Sequence, residues 1–275
     1  MGHTAHPRFG MPPDNDPPDS KDGPPESRDV YDELADGYDD ITGAAIREHY
    51  EWPAVRSLLP PLGGAHVLDA ACGDGFYTER IVDRGATAVG VDATPAMLDR
   101  ARERFDGDDR VGLHEADLTD DLPFLDDGAF DLVVCQLALG HVPEWDPVFE
   151  TFERVLNPGG RVVVSTSHPL RDYVDAEFQV REHALADGAR YVDVERVAYD
   201  WGEDERFAVP FYRRPLEAAF APATDAGFLV ERVVEPDVTE SFAEARPEDA
   251  RQFREGPPNF LCLRFLKPTD AVAGP

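Results

Sequence analysis

Lysine is nearly missing from this chain. Of 26 basic residues only Lys21 and Lys267 are lysines, and 56 acidic residues bring the formal charge to −30. With no basic stripe to follow a phosphate backbone, nucleic acid is excluded as an expected partner. Charge of this size costs self-repulsion in dilute buffer and is screened in strong salt. Abundant carboxylates with so little lysine therefore point to a cytoplasm at molar salt, that of an extreme halophile. Cysteine is scarce too: Cys72, Cys135 and Cys262 are odd in number and far apart, which excludes a disulfide framework and any zinc spacing. No metal is expected. No apolar run approaches a membrane span, and the N-terminus carries no apolar signal region. The expectation is a cytoplasmic protein with no membrane partner, a monomer or homodimer.

What is present is strongly organised. Residues 1–28, rich in Pro, Asp and Gly, bury too little apolar surface to order and are read as a disordered acidic tail. Two helices are expected over Tyr31–Asp39 and Ala44–Leu59, closed by "PPLGG". Short apolar runs then recur at His66–Ala70, Ala86–Val91, Val111–His114, Phe130–Cys135 and Arg161–Ser165. Helical stretches at Tyr77–Asp83, Ala96–Phe105 and Val148–Leu156 separate them, and "NPGG" is expected to turn the last helix into the next strand. This alternation predicts an α/β fold, a parallel sheet covered on both faces. It lapses over 169–212, an aromatic and charged stretch read as an inserted lid. It resumes with a helix at Leu216–Ala226 and strands at Phe228–Val234 and Phe260–Leu266, which an acidic loop with many prolines separates.

The chemistry gathers where strands end. In "VLDAACGDGFYTERI" the first strand runs into Asp69, and the loop after it holds only two glycines, Gly73 and Gly75. A dinucleotide fingerprint wants three, with none of the carboxylates seen here at Asp69 and Asp74. Negative charge repels a pyrophosphate and attracts a cationic ligand. Asp92 ends the second strand, where it can accept from both ribose hydroxyls, and Asp117 follows the third, where it can accept from an exocyclic amine. Three carboxylates along one cleft suit an adenosine with a positive, amino-acid-like tail and no phosphate. Asp69 or Asp92, taken alone, can instead simply cap the following helix; taken together they are far less easily explained that way.

In this pattern the chain resembles the class I S-adenosylmethionine-dependent methyltransferases, in particular their small-molecule, methyltransferase type 11-like branch. The matching segments are "VLDAACGDGFYT", "VGVDATPAMLDRAR", "HEADLTD", "FDLVVCQLALGHV" and "VLNPGGRVVVSTSHP", in the right order within residues 66–169. The resemblance implies a Rossmann-like, doubly wound sheet of seven strands, order 3-2-1-4-5-7-6, with the last strand antiparallel. It divides the chain into cap helices at 29–64, a cofactor-binding domain at 65–168 and 213–268, and a lid at 169–212. It implies S-adenosyl-L-methionine as cofactor and a small-molecule acceptor, methylated at O, N or C. A non-catalytic regulator or scaffold that binds the same cofactor is the alternative.

Residue roles follow from the same resemblance. Asp69, Ala71, Gly73 and Gly75 would frame the methionine part, with Asp69 near its ammonium. Asp92 would take the ribose, Asp117 and the Leu118 amide the adenine, with Ala93 and Met97 lining its pocket. Gln136 would face the sulfonium, and Tyr31 and Tyr38, on one helical face, would cap the cofactor or simply pack. Ala71 replaces the family's first glycine, a change tolerated if the backbone there is not left-handed. A general base would come from His168 or His141, after the fifth and fourth strands. Tyr212 and Arg213, with Arg214 beside them, are candidates for holding the acceptor; a solvated surface arginine pair is the other reading.

Overall fold

The computed structural model describes residues 26–38, 44–174, 190–201 and 207–269. Residues 1–25, 39–43, 175–189, 202–206 and 270–275 lie outside the described residues, and with them most of the expected tail and part of the expected lid.

Seven strands form the central sheet: β1 His66–Ala70, β2 Thr87–Asp92, β3 Val111–Glu115, β4 Phe130–Gln136, β5 Leu156–Ser167, β8 Leu229–Val234 and β9 Phe260–Leu266. Their order is β3-β2-β1-β4-β5-β9-β8, while β6 Glu195–Trp201 and β7 Phe207–Arg213 pair separately as a hairpin. Renumbered without that hairpin, the order is the expected 3-2-1-4-5-7-6. The first five strands pair in parallel, and β9 runs antiparallel between β5 and β8. β1 lies between β2 and β4, so the order reverses there, and the carboxyl ends of β1 and β4 open the crevice where such sheets bind ligands.

The helices follow from burial on both faces. Along β4, Val133 and Cys135 join one core cluster and Leu132 and Val134 the other, the alternation of a strand covered on both sides. One cluster packs the helix Asp146–Val155 through Phe149 and Phe152 against Phe228 and Phe265; the other packs Trp52, Val55 and Leu58 against Tyr77 and Ile81. The helices in order are α1 Ser27–Leu34, α2 Trp52–Leu58, α3 Phe76–Val82, α4 Pro95–Arg104, α5 Asp146–Val155, α6 Pro169–Val174, α7 Leu216–Asp225, α8 Glu240–Ala245 and α9 Pro247–Glu255.

Three local expectations change. The helix expected to reach Asp39 ends at Leu34 and gives way to a tight turn, Ala35–Gly37, and α2 is preceded by a π-helical turn, Arg47–Glu51. "NPGG" is not a turn before β5 but its first stretch, with a register irregularity opposite Phe130–Leu132. The acidic segment between β8 and β9 is not a loop but α8 and α9. Thr239 Oγ1 caps α8 by accepting from the Phe242 amide at 3.0 Å, Pro247 starts α9, and Phe242 and Phe253 stack together over Tyr50. The apolar spacing was too sparse to stand out among the carboxylates.

The hairpin is fastened to the sheet at Gly140. A Cβ built there would lie 1.9 Å from Phe211 Cε2 in β7, so only glycine admits the ring. Gly140→Ala is expected to cost about 1–3 kcal/mol as an overpacking change. Denaturant unfolding measures it, and hydrogen exchange should show the added mobility in β6 and β7.

Candidate active site

The first βα loop is shaped by its backbone. Ala71, Gly73 and Gly75 all have positive φ, at 61°, 53° and 81°. The alanine is thus left-handed, contrary to the condition under which it was expected to be harmless. It carries a cost of roughly 1–2 kcal/mol that glycine avoids. At Gly75 glycine is required twice over, because a Cβ would also lie 2.5 Å from the Phe105 ring. The loop is held from the next strand: Asp92 accepts from the Gly73 amide at 2.8 Å and from the Thr94 amide at 2.9 Å. Asp74 turns inward and accepts from Arg47 Nη1 at 3.2 Å and Arg104 Nη2 at 3.1 Å.

A cavity of about 650 Å³ opens over this loop. Tyr31, Tyr38 and Arg47 form its roof, Ala71–Asp74 and Tyr77 one wall, and Asp92, Ala93, Thr94 and Met97 the next. Asp117 and Leu118 lie at one end; Gln136, Leu137, Ala138, His141 and Tyr212 lie at the other. Beside it stand two buried acceptor atoms without hydrogen-bond partners, Asp69 Oδ1 and Gln136 Oε1. Burial, helped by the charges of Asp92 and Asp74, pushes the Asp69 carboxyl up to about 7, even though Thr78 donates to it at 2.5 Å. Burial also raises Asp92. Crowded carboxylates and orphaned acceptors fit a ligand that brings donors and positive charge.

A methyltransferase-domain family profile matches residues 68–164. The ubiquinone biosynthesis O-methyltransferase of Thiobacillus denitrificans is 35% identical over 182 residues, 62% of this chain and 78% of that protein. The S-adenosylmethionine-dependent methyltransferase structure from Mesorhizobium loti aligns with a TM-score of 0.66 at 30% identity, over 82% of this chain and 99% of that one. The chain belongs to the S-adenosylmethionine-dependent methyltransferases. Demethylmenaquinone methyltransferase of Clavibacter sepedonicus is 40% identical over 111 residues, but that match covers only 44% of its length. S-adenosylmethionine is the cofactor of this methyltransferase, and the crowded acceptors around the cavity are consistent with it.

Most of the residues singled out in the sequence come together around the cavity, but five do not line it: Asp69, Gly75, His168, Arg213 and Arg214. Asp69 sits behind the loop, bonded to Thr78. His168 is a correction. It is 1% exposed, its Nδ1 accepts from the Leu170 amide at 3.2 Å, and its Nε2 therefore donates to Glu235 Oε1 at 2.8 Å. Both nitrogens are committed to holding the end of β5, so this histidine is structural. Arg213 is also corrected, since it is buried, pairs with Glu195 and lies over Tyr173. Nor is the arginine pair a solvated one: Arg214 is buried, donates to the Val142 carbonyl at 2.7 Å and covers Trp145, with its pKa lowered to about 10 by burial. Gln136 closes β4 rather than following it and donates to the Val163 carbonyl at 2.8 Å.

Arg47 and Tyr77 escaped the sequence reading. The methyltransferase places Arg47 over the Tyr38 ring at 4.8 Å and against Asp74, a contact across a sequence gap that no local pattern announces. The one available signal was an arginine on the apolar face of an expected helix.

Two outcomes follow. Ala71→Gly is expected to raise the melting temperature by about 2–4 °C, the equivalent of roughly 1 kcal/mol in a chain of this size. Asp69 binds its proton more tightly folded than unfolded, so that stability is full at acid pH and is lost as pH rises toward and past about 7. Asp69→Asn should raise the melting temperature of the ligand-free protein more at pH 8 than at pH 5, as calorimetry at the two pH values would show.

Proposed function

We propose that this methyltransferase moves a methyl group to a hydroxyl oxygen of a small molecule, with His141 and Tyr31 accepting the hydroxyl proton. S-adenosylmethionine supplies the electrophilic methyl group. One observation carries the proton path. His141 Nδ1 lies 2.8 Å from the Pro210 carbonyl, which can only accept, so Nδ1 holds the ring proton. The Nε2 lone pair therefore accepts from Tyr31 Oη at 3.0 Å. Burial lowers the His141 pKa and raises that of Tyr31 well above the usual phenol, which keeps both neutral at rest. An acceptor hydroxyl bonded to Tyr31 passes its proton to the phenol oxygen while the phenol proton moves to Nε2. The apolar surface of Val142, Pro143 and Pro147 at the same end takes the body of the acceptor, beside Tyr212.

The remaining residues serve the cofactor. Asp92 holds the ribose hydroxyls with the lone pairs left by the loop amides, Asp117 and the Leu118 amide read the adenine, and Ala93 and Met97 pack on it. Gln136 Oε1 answers the positive methionine end, with the Asp69 carboxyl behind the loop adding to the field there, and Tyr31 and Tyr38, whose rings pack at 5.9 Å, close over it. The named activity of the Thiobacillus relative supports oxygen as the acceptor atom, and the acid excess supports a cytoplasm at molar salt.

His141→Ala is expected to slow transfer to a phenolic or catecholic acceptor by about 100-fold or more, with cofactor affinity within about threefold of the wild type. Radiolabelled methyl transfer in multimolar KCl and calorimetric titration of the cofactor measure the two. Full turnover in the variant would remove His141 from the reaction.

A further inference from the structure

A leucine in the cavity wall has a backbone that leucine avoids. Leu137, directly after β4, has φ 55°. The left-handed region costs a residue with a Cβ roughly 1–2 kcal/mol, and a bulky side chain makes it a true outlier. Such strain persists only where neighbours over-determine it. Here the neighbour is Ser165 in β5. The Leu137 amide donates to the Ser165 carbonyl at 2.9 Å and to Ser165 Oγ at 3.2 Å, so both acceptors of one residue hold one N–H.

Ser165 is fully buried, and so is the group behind it. That group is Glu51, a carboxylate whose one oxygen accepts from Tyr77 Oη at 2.8 Å while the other, Oε1, has no hydrogen-bond partner. Burying a carboxylate is expensive, and desolvation pushes that of Glu51 up to about 7. Nothing in the proton path proposed for Tyr31 and His141 uses it.

Glu51 also sits at a junction. It ends the π-helical turn Arg47–Glu51, whose Arg47 pairs with Asp74 in the glycine loop. Tyr77, Gln136, Leu137 and Ala138 all line the cavity. The turn that carries Arg47 therefore touches the cavity wall through the Tyr77 hydroxyl.

We propose that Ser165 is a positioning residue for cofactor binding: its hydroxyl holds Leu137 in its left-handed turn and so keeps the Gln136–Ala138 wall shaped to receive the cofactor. The proposal rests on the cofactor and not on the Tyr31–His141 proton path, so either can fail without the other.

The test is calorimetric titration of S-adenosylhomocysteine into the full chain in multimolar KCl. Ser165→Ala should weaken binding by about 5- to 30-fold, the fold-change equivalent of the left-handed cost. Adding Leu137→Gly to that variant should bring the affinity back to within about threefold of the wild type, because glycine takes the conformation without help. A serine that merely packed would not be rescued by a glycine at another position. Should Ser165→Ala fail to fold, Ser165→Cys, a far weaker acceptor, carries the same pair of expectations, a loss that Leu137→Gly restores. Unchanged affinity in the first variant, or a loss that the glycine leaves in place, overturns the proposal.

Discussion

The carboxyl end of the sheet depends on one buried carboxylate. Asp92 ends β2 and accepts one amide from the glycine loop and one from its own turn into α4. That pair of bonds ties the loop after β1 to the strand beside it and lets three left-handed residues persist in five positions. Without the tie, the loop has no reason to hold a conformation that costs Ala71 what it does. The cavity follows, because the loop is its wall and the Asp92 side chain part of its lining.

Around that anchor the protein concentrates negative charge and then manages it. Asp69 is left partly protonated by burial and its neighbours, while Asp74 is taken up by Arg47 and Arg104. The resulting field favours a cationic ligand and disfavours a pyrophosphate, which is how this crevice differs chemically from a dinucleotide site on the same topology. The hairpin supplies the other half. Its Pro210 carbonyl accepts a hydrogen bond from His141 Nδ1 and another from Ser27 Oγ at 3.3 Å, so α1, the His141 turn and β7 meet at one oxygen. A residue far from the sheet in sequence thereby sets which nitrogen of the histidine can act as a base.

Much of this was legible beforehand because it is local. Apolar runs of strand length separated by helical stretches name the layers, and an aspartate at a strand end followed by paired glycines marks the loop. The helices α8 and α9 were not legible, since Phe242 and Phe253 are two rings among carboxylates and find each other only over Tyr50. His168 misled for a related reason. A histidine after a parallel strand looks like a base until Glu235, at the end of the edge strand β8, is seen to accept its hydrogen bond.

By itself, then, the sequence determined the alternation of strands and helices, the family's cofactor loop and the sign of the charge, each written in residues close along the chain, while the strand order came from the resemblance to the family. Tertiary structure alone decided which of two histidines faces the cavity, that two arginines are buried rather than solvated, and that Leu137 is held left-handed by Ser165. The reason is physical. Patterns of burial repeat along a chain with the period of its secondary structure, but a hydrogen bond or an ion pair between distant segments exists only where folding brings its two ends within about 3 Å.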